Sequence, residues 1–127
     1  IHCNLTEETH HLINTKRIDM MPGVDPFNLK CGNHIVNCAR GGIVDEDAAY
    51  AALESGQLTS LALDVFEREP VDATSPLLQH RNFHGTPHIG AATIEAQRRV
   101  GLDIVDAVLA TLDGHMAETT VNRSDLV

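Results

Sequence analysis

Apolar positions in this chain fall into two kinds of pattern. Short runs, Ile35-Val36, Leu61-Ala62-Leu63 through Val65, and a weaker Phe83 with Thr86, have the length of strands. Longer stretches repeat every three to four residues. After Asp45 come Ala48, Ala49, Ala51, Ala52 and Leu53; further on, Val100, Ile104, Val108 and Leu112 form one stripe, with Gly101, Val105 and Leu109 beside it. The pattern predicts strands at Ile1–Cys3, Ile35–Asn37 and Leu61–Val65, and helices at Asp45–Ser55 and Ala92–Asp113, with Phe83–Thr86 a fourth strand too weak to stand on pattern alone. Asp45 has the chemistry of an N-cap and Gly56 closes its helix, while Thr93 or Ala92 opens the last helix and Gly114 ends it. Strands alternating with helices give an α/β fold with a parallel sheet. The unbroken run at Leu61–Val65 reads as a fully buried parallel strand, and the stripe on the last helix reads as core.

The intervening segments are less regular. Thr6, followed by Glu7 and Glu8, is a helix-start signal. Thr15–Met21 is a short helix ended by Pro22-Gly23, and Pro76-Leu77-Leu78 is one further turn of helix. Asp25 to Asn33 is a surface loop by its Pro, Gly and Asn content.

Chemistry concentrates where strands end. In Asn37-Cys38-Ala39-Arg40-Gly41-Gly42-Ile43-Val44-Asp45-Glu46, a strand, a Gly-Gly turn and a capped helix present Arg40 at the carboxyl end of the sheet. Ligands of open α/β sheets bind at that edge, and a guanidinium fork suits a carboxylate. The plainer alternative is a surface arginine paired with Asp45 or Glu46. Asp64 ends the next strand, where a buried carboxylate is unfavourable unless bonded. His10-His11 is no metal pair, since neighbours on a helix point in different directions. His80, His84 and His88 recur every four residues, but Gly85 and Pro87 interrupt any helix that would align them.

Composition narrows the classes. At 127 residues and 43% hydrophobic, the chain supports one packed core at most, built largely from aliphatic side chains because aromatics make up 3%. A formal charge of −9 argues against binding a nucleic-acid backbone. No run of eighteen apolar residues exists, so no membrane-spanning helix is expected. Cys3, Cys31 and Cys38 lack CxxC spacing, which fits reduced thiols in a cytoplasmic protein.

Three stretches in order, NCARGGIVDE, LALDVFEREP and TPHIGAAT, resemble the D-isomer-specific 2-hydroxyacid dehydrogenases, and within them the phosphoglycerate dehydrogenase branch. The resemblance runs from HCNLTEETHHLI to VNRSDLV. It implies the second half of a doubly wound, Rossmann-type nucleotide-binding domain. Residues 1–91 would be the C-terminal half of the NAD-binding domain, and 92–127 a crossover helix and tail toward a substrate domain. The chain begins with Ile and holds no glycine-rich pyrophosphate loop, so a fragment, inactive by itself, is expected.

By the same resemblance Arg40, Glu69 and His88 are the catalytic residues: carboxylate clamp, acidic partner and base. Cys3, Cys38, Ala39, Arg40, Asp64, His88, Ile89, Gly90 and Ala91 are the implied contacts to NAD, and no metal is implied. Histidine changes charge near neutrality, which suits a general base, and an acidic partner would fix its tautomer. Glu69 is preferred to Glu67 because it directly precedes Pro70. The implied reaction of the full-length protein is NAD-dependent oxidation of a D-2-hydroxy acid, foremost 3-phosphoglycerate to 3-phosphohydroxypyruvate in serine biosynthesis. Its partners would be the small acid and further copies of itself. Two alternatives stand beside it: a glyoxylate or hydroxypyruvate reductase, and an NAD-sensing, non-enzymatic relative of the co-repressor type. The segment Val24–His34 has no counterpart in the resemblance.

Overall fold

A computed structural model describes residues 1–125. The chain divides into two compact units, Ile1–Ile89 and Gly90–Val127. The first holds α1 (Thr15–Asp19), β1 (His34–Asn37), α2 (Glu46–Glu54), β2 (Ser60–Leu63), α3 (Pro76–Gln79) and β3 (Phe83–Gly85); the second holds α4 (Ile94–Leu112) and a 3-10 turn at Arg123–Asp125. The strands form one parallel sheet in the order β1-β2-β3, with Ile35 beside Leu61 and Leu61 beside Phe83. Parallel neighbours need a crossover, and α2 supplies it between β1 and β2.

The caps are those that the residue types dictate. The Asp45 carboxylate accepts from the Ala48 N–H at 2.9 Å, and the Thr93 hydroxyl accepts from the Ala96 N–H at 3.1 Å. Ile18, Ala49, Leu53, Leu58, Leu61 and Leu63 are the centre of the core, which lies between the helices of the first unit and one face of its sheet. Among the described residues no helix is long and apolar enough to cross a membrane.

Four sequence expectations are corrected. Ile1–Cys3 is not a strand: the Ile1 ammonium donates to the Val36 carbonyl at 2.5 Å and the Cys38 N–H to the Ile1 carbonyl at 3.5 Å, a single parallel rung around Asn37. The Thr6 signal opens one turn and no helix. The Thr9 hydroxyl accepts from the Thr6 N–H at 2.7 Å, and the chain leaves the helical path at His11, whose φ is 48°. β2 is half-buried, with Leu61 and Leu63 inward and Ala62 on the more open face, where Val36 of β1 is 54% exposed. A continuous apolar run thus masked a large-small alternation. Finally, the α4 stripe is not core, since Val100, Ile104, Val108 and Leu112 are 52–77% exposed. Helical periodicity marks a face that prefers cover, whatever lies against it.

Candidate active site

Because the strands run parallel, the segments after Asn37, Leu63 and Gly85 leave the sheet at one edge. The first of these is shaped by Asn37, whose side chain is buried at 1% exposure. Its Oδ1 accepts from the Ala39 N–H at 3.0 Å and its Nδ2 donates to the Arg40 carbonyl at 3.0 Å, closing an Asx-type turn. That turn holds Arg40 on the surface, where Nη1 donates to the Ala39 carbonyl at 2.7 Å. Among the described residues Arg40 forms no ion pair with Asp45 or Glu46. A cavity of about 640 Å3 is lined by Cys3, Leu5, Cys38, Ala39 and Arg40. Its volume lies within the usual range for small-ligand sites. The short side chains of Cys3, Cys38 and Ala39 leave room for a flat ring, and the Arg40 guanidinium offers donors to a neighbouring carboxylate.

Gly41 follows with a close approach that allows no side chain. A Cβ there would lie 1.8 Å from the Phe66 carbonyl oxygen. The Arg40 turn therefore rests directly on the backbone of the segment after β2. Gly42, at φ 82°, completes the turn in the left-handed region that favours glycine.

The second and third segments are joined by two carboxylates. Asp64 is 5% exposed, and its Oδ1 accepts from the Thr86 hydroxyl at 2.5 Å and from the Ile89 N–H at 2.8 Å. Those two residues flank His88, so Asp64 pins its loop from both sides. His88 itself has φ 55°, a conformation that costs a bulky residue roughly 1–3 kcal/mol and persists where the surroundings enforce it. Glu69 accepts from the Phe66 N–H at 3.0 Å through Oε1 and from His88 Nδ1 at 2.8 Å through Oε2. The bond to His88 and that from the Phe66 N–H hold the Glu69 carboxyl below its ordinary value, so it stays charged and can only accept. His88 therefore carries its proton on Nδ1, which leaves Nε2 as the atom that can accept one from a ligand.

Glu67 turns elsewhere. Its Oε1 accepts from His11 Nε2 at 3.0 Å and from the Glu46 N–H at 3.1 Å. Thus Cys3, Cys38, Ala39 and Arg40 share one cavity, Asp64 holds Ile89, and Glu69 meets His88. Gly90 and Ala91 open the second unit. Sequence reasoning missed Asn37 and Thr86, although an Asn closing a strand and a hydroxyl two residues before His88 were usable signals.

The Glu46 carboxyl is raised above its ordinary value. Burial is the main cause, partly offset by the Glu67 N–H that it accepts, and reinforced by the charges of Glu67, Asp47 and Glu69. A raised folded value means that the unfolded chain releases its proton first as pH climbs. The Glu46 charge thus costs stability above the ordinary value of 4.5 and nothing well below it. Glu46→Gln is expected to raise the thermal midpoint at neutral pH and leave it unchanged near pH 3, measured by calorimetry at both values. A lower midpoint at neutral pH would contradict this account.

Similarity to known proteins agrees with that geometry. The family described as D-isomer specific 2-hydroxyacid dehydrogenase, NAD binding domain, matches residues 1–90. The chain belongs to that family. It is 42% identical over 126 residues to the D-3-phosphoglycerate dehydrogenase of Methanocaldococcus jannaschii, covering 99% of this chain and 22% of that protein. It is 45% identical over 114 residues to the hydroxypyruvate reductase of Thermotoga maritima, covering 88% of this chain and 35% of the relative. Among solved structures, the D-isomer specific 2-hydroxyacid dehydrogenase of Xanthobacter autotrophicus Py2, in complex with NADPH and MES, superposes with a TM-score of 0.72 at 36% identity, over 94% of this chain and 46% of that one. The chain thus spans less than half the length of each. Its sheet is part of the Rossmann-type NAD-binding domain of this dehydrogenase family.

Proposed function

We propose that the protein carrying this chain transfers a hydride between a D-2-hydroxy acid and NAD, with 3-phosphoglycerate as the first-choice substrate. The observation that carries the reading is the 2.8 Å contact between His88 Nδ1 and Glu69 Oε2 on the sheet edge that also bears Arg40. In the oxidation, Arg40 binds and orients the substrate carboxylate through paired N–H donors. His88 Nε2 takes the hydroxyl proton, and the neighbouring Glu69 carboxylate stabilises the imidazolium so formed. Asp64 keeps that imidazole in place through Thr86 and Ile89. Cys3, Cys38, Ala39 and Arg40 line the cavity that would hold the nicotinamide end, with Asp64 and the loop His88-Ile89-Gly90-Ala91 as further contacts. NAD supplies the hydride acceptor, which no side chain can provide.

On this reading residues 1–91 furnish the C-terminal half of the NAD-binding domain and 92–127 the crossover helix and tail toward a substrate domain. The exposed α4 stripe is apolar surface that a homo-oligomer or a second domain would cover. Unpaired Cys3, Cys31 and Cys38 fit a cytoplasmic location, and the charge of −9 argues against a nucleic-acid partner. The 45% identity to a hydroxypyruvate reductase supports a second reading, in which hydroxypyruvate or glyoxylate is the substrate.

The test is NADH oxidation by the complete protein with phosphohydroxypyruvate, hydroxypyruvate and glyoxylate. Preference for the phosphorylated acid is expected, and no turnover of any 2-oxo acid would overturn the proposal. In the same assay Arg40→Lys should lower kcat/KM by about 10–100-fold, because a point charge forfeits one charged hydrogen bond of the fork.

A further inference from the structure

We propose that Glu46 and Glu67 are positioning residues that fix the carboxylate-binding arginine relative to the Glu69–His88 pair. The inference rests on the reaction proposed above. Each of the two residues donates its backbone N–H to the other's carboxylate: Glu67 N–H to Glu46 Oε1 at 2.6 Å, and Glu46 N–H to Glu67 Oε1 at 3.1 Å. Glu46 is the first residue of α2, the helix that follows the Arg40-Gly41-Gly42 turn. Glu67 lies two residues before Glu69, on the segment after β2. The reciprocal pair therefore ties together the two polypeptide segments that carry the substrate clamp and the acidic partner.

Two further contacts show that the joint is built and not incidental. Gly41 lies so close to the Phe66–Glu67 peptide that a Cβ would fall 2.9 Å from the Glu67 nitrogen, so the backbones are already in register. His11 closes the joint from a third segment. Its Nε2 meets Glu67 Oε1 at 3.0 Å, its Nδ1 lies 3.7 Å from Asp45 Oδ2, and its own N–H donates to the Gly42 carbonyl at 2.7 Å. Glu69 is then positioned from the same segment by the Phe66 N–H, one residue before Glu67. Two carboxylates are held beside each other although their charges repel, and the backbone N–H donors offset that repulsion. Misplacing a reacting group by about 1 Å costs on the order of 10²-fold in rate, so a joint of this kind governs turnover without touching substrate.

The experiment compares Glu46→Ala, Glu67→Ala, the double variant, and Glu46→Gln and Glu67→Gln in the complete protein. The readouts are kcat and KM for the 2-oxo acid, the dissociation constant for NADH, and amide hydrogen exchange without ligand. Each alanine variant should lower kcat by roughly 10–100-fold, with NADH affinity within about threefold of the parent. The double variant should be no worse than the singles, because the two bonds act as one unit. Glutamine keeps the Oε1 acceptor and should restore most of the rate. Exchange at the Glu46 amide should quicken in Glu67→Ala, and at the Glu67 amide in Glu46→Ala. Should Glu46→Ala fail to fold, Glu67→Ala carries the test alone, since its side chain is 38% exposed. Unchanged kcat in the alanine variants, or no rescue by glutamine, would overturn the positioning role of Glu46 and Glu67. If His88→Ala is inactive while the Glu46 and Glu67 variants are not, that role alone fails; full activity in His88→Ala would instead reject the reaction.

Discussion

Replacing His88 with alanine is expected to lower kcat for 2-oxo acid reduction by roughly 10²–10⁴-fold, the contribution of a positioned general acid or base. NADH affinity should change less than kcat, because the other proposed cofactor contacts, with Cys3, Cys38, Ala39 and Arg40 lining one cavity, are kept. Glu69→Gln should fall between the variant and the parent. The glutamine oxygen can still accept from Nδ1, but it carries no charge to stabilise the imidazolium. The pH dependence follows from the direction of the Glu69 shift. Its carboxyl is lowered from 4.5, so its contribution is complete above the ordinary value and is lost as pH falls through the lowered one. An acid limb below pH 4.5 in the parent that is absent from Glu69→Gln would therefore report the Glu69 carboxyl. Steady-state profiles for the parent and both variants test this, and an unaltered His88→Ala enzyme would remove the basis of the mechanism.

Gly41→Ala is expected to be as damaging, by a purely steric route. The added methyl would lie 1.8 Å from the Phe66 oxygen and 2.3 Å from its carbonyl carbon. Neither is a flexible side-chain end, so two backbone segments must separate. Overpacking of this kind costs about 1–3 kcal/mol or more. Separation also breaks the register between Arg40 and Glu69, so kcat/KM should fall further than the loss of stability alone explains. Gly101→Ala is the matched control. It sits in α4 with nothing within 4 Å of the added atom, and removing a helical glycine should stabilise by roughly 0.5–1 kcal/mol. Chemical denaturation and kinetics on both variants distinguish a local collision from a general intolerance of substitution.

Local chemistry along the chain was sufficient to place the helices and most strands. Asp45 and Thr93 cap α2 and α4 because each carries a short side-chain oxygen one residue before a periodic apolar run. The parallel sheet followed from strands alternating with helices, and Arg40 and Asp64 were readable from their positions after strand ends, whereas Glu69 and His88 were marked by the family resemblance. What the chain could not announce was which groups close contacts across distant segments. Glu67 and Glu69 are the same side chain two residues apart, and an extended segment would aim them alike; instead one meets Glu46 and His11 and the other meets His88. The buried Asn37 turn, the grip of Asp64 on Thr86 and Ile89, and the seat of Gly41 on Phe66 are also decided by tertiary approach. So is the exposure of Val36 and of the α4 stripe, since apolar periodicity records a preference for cover while only three-dimensional packing determines whether cover is present.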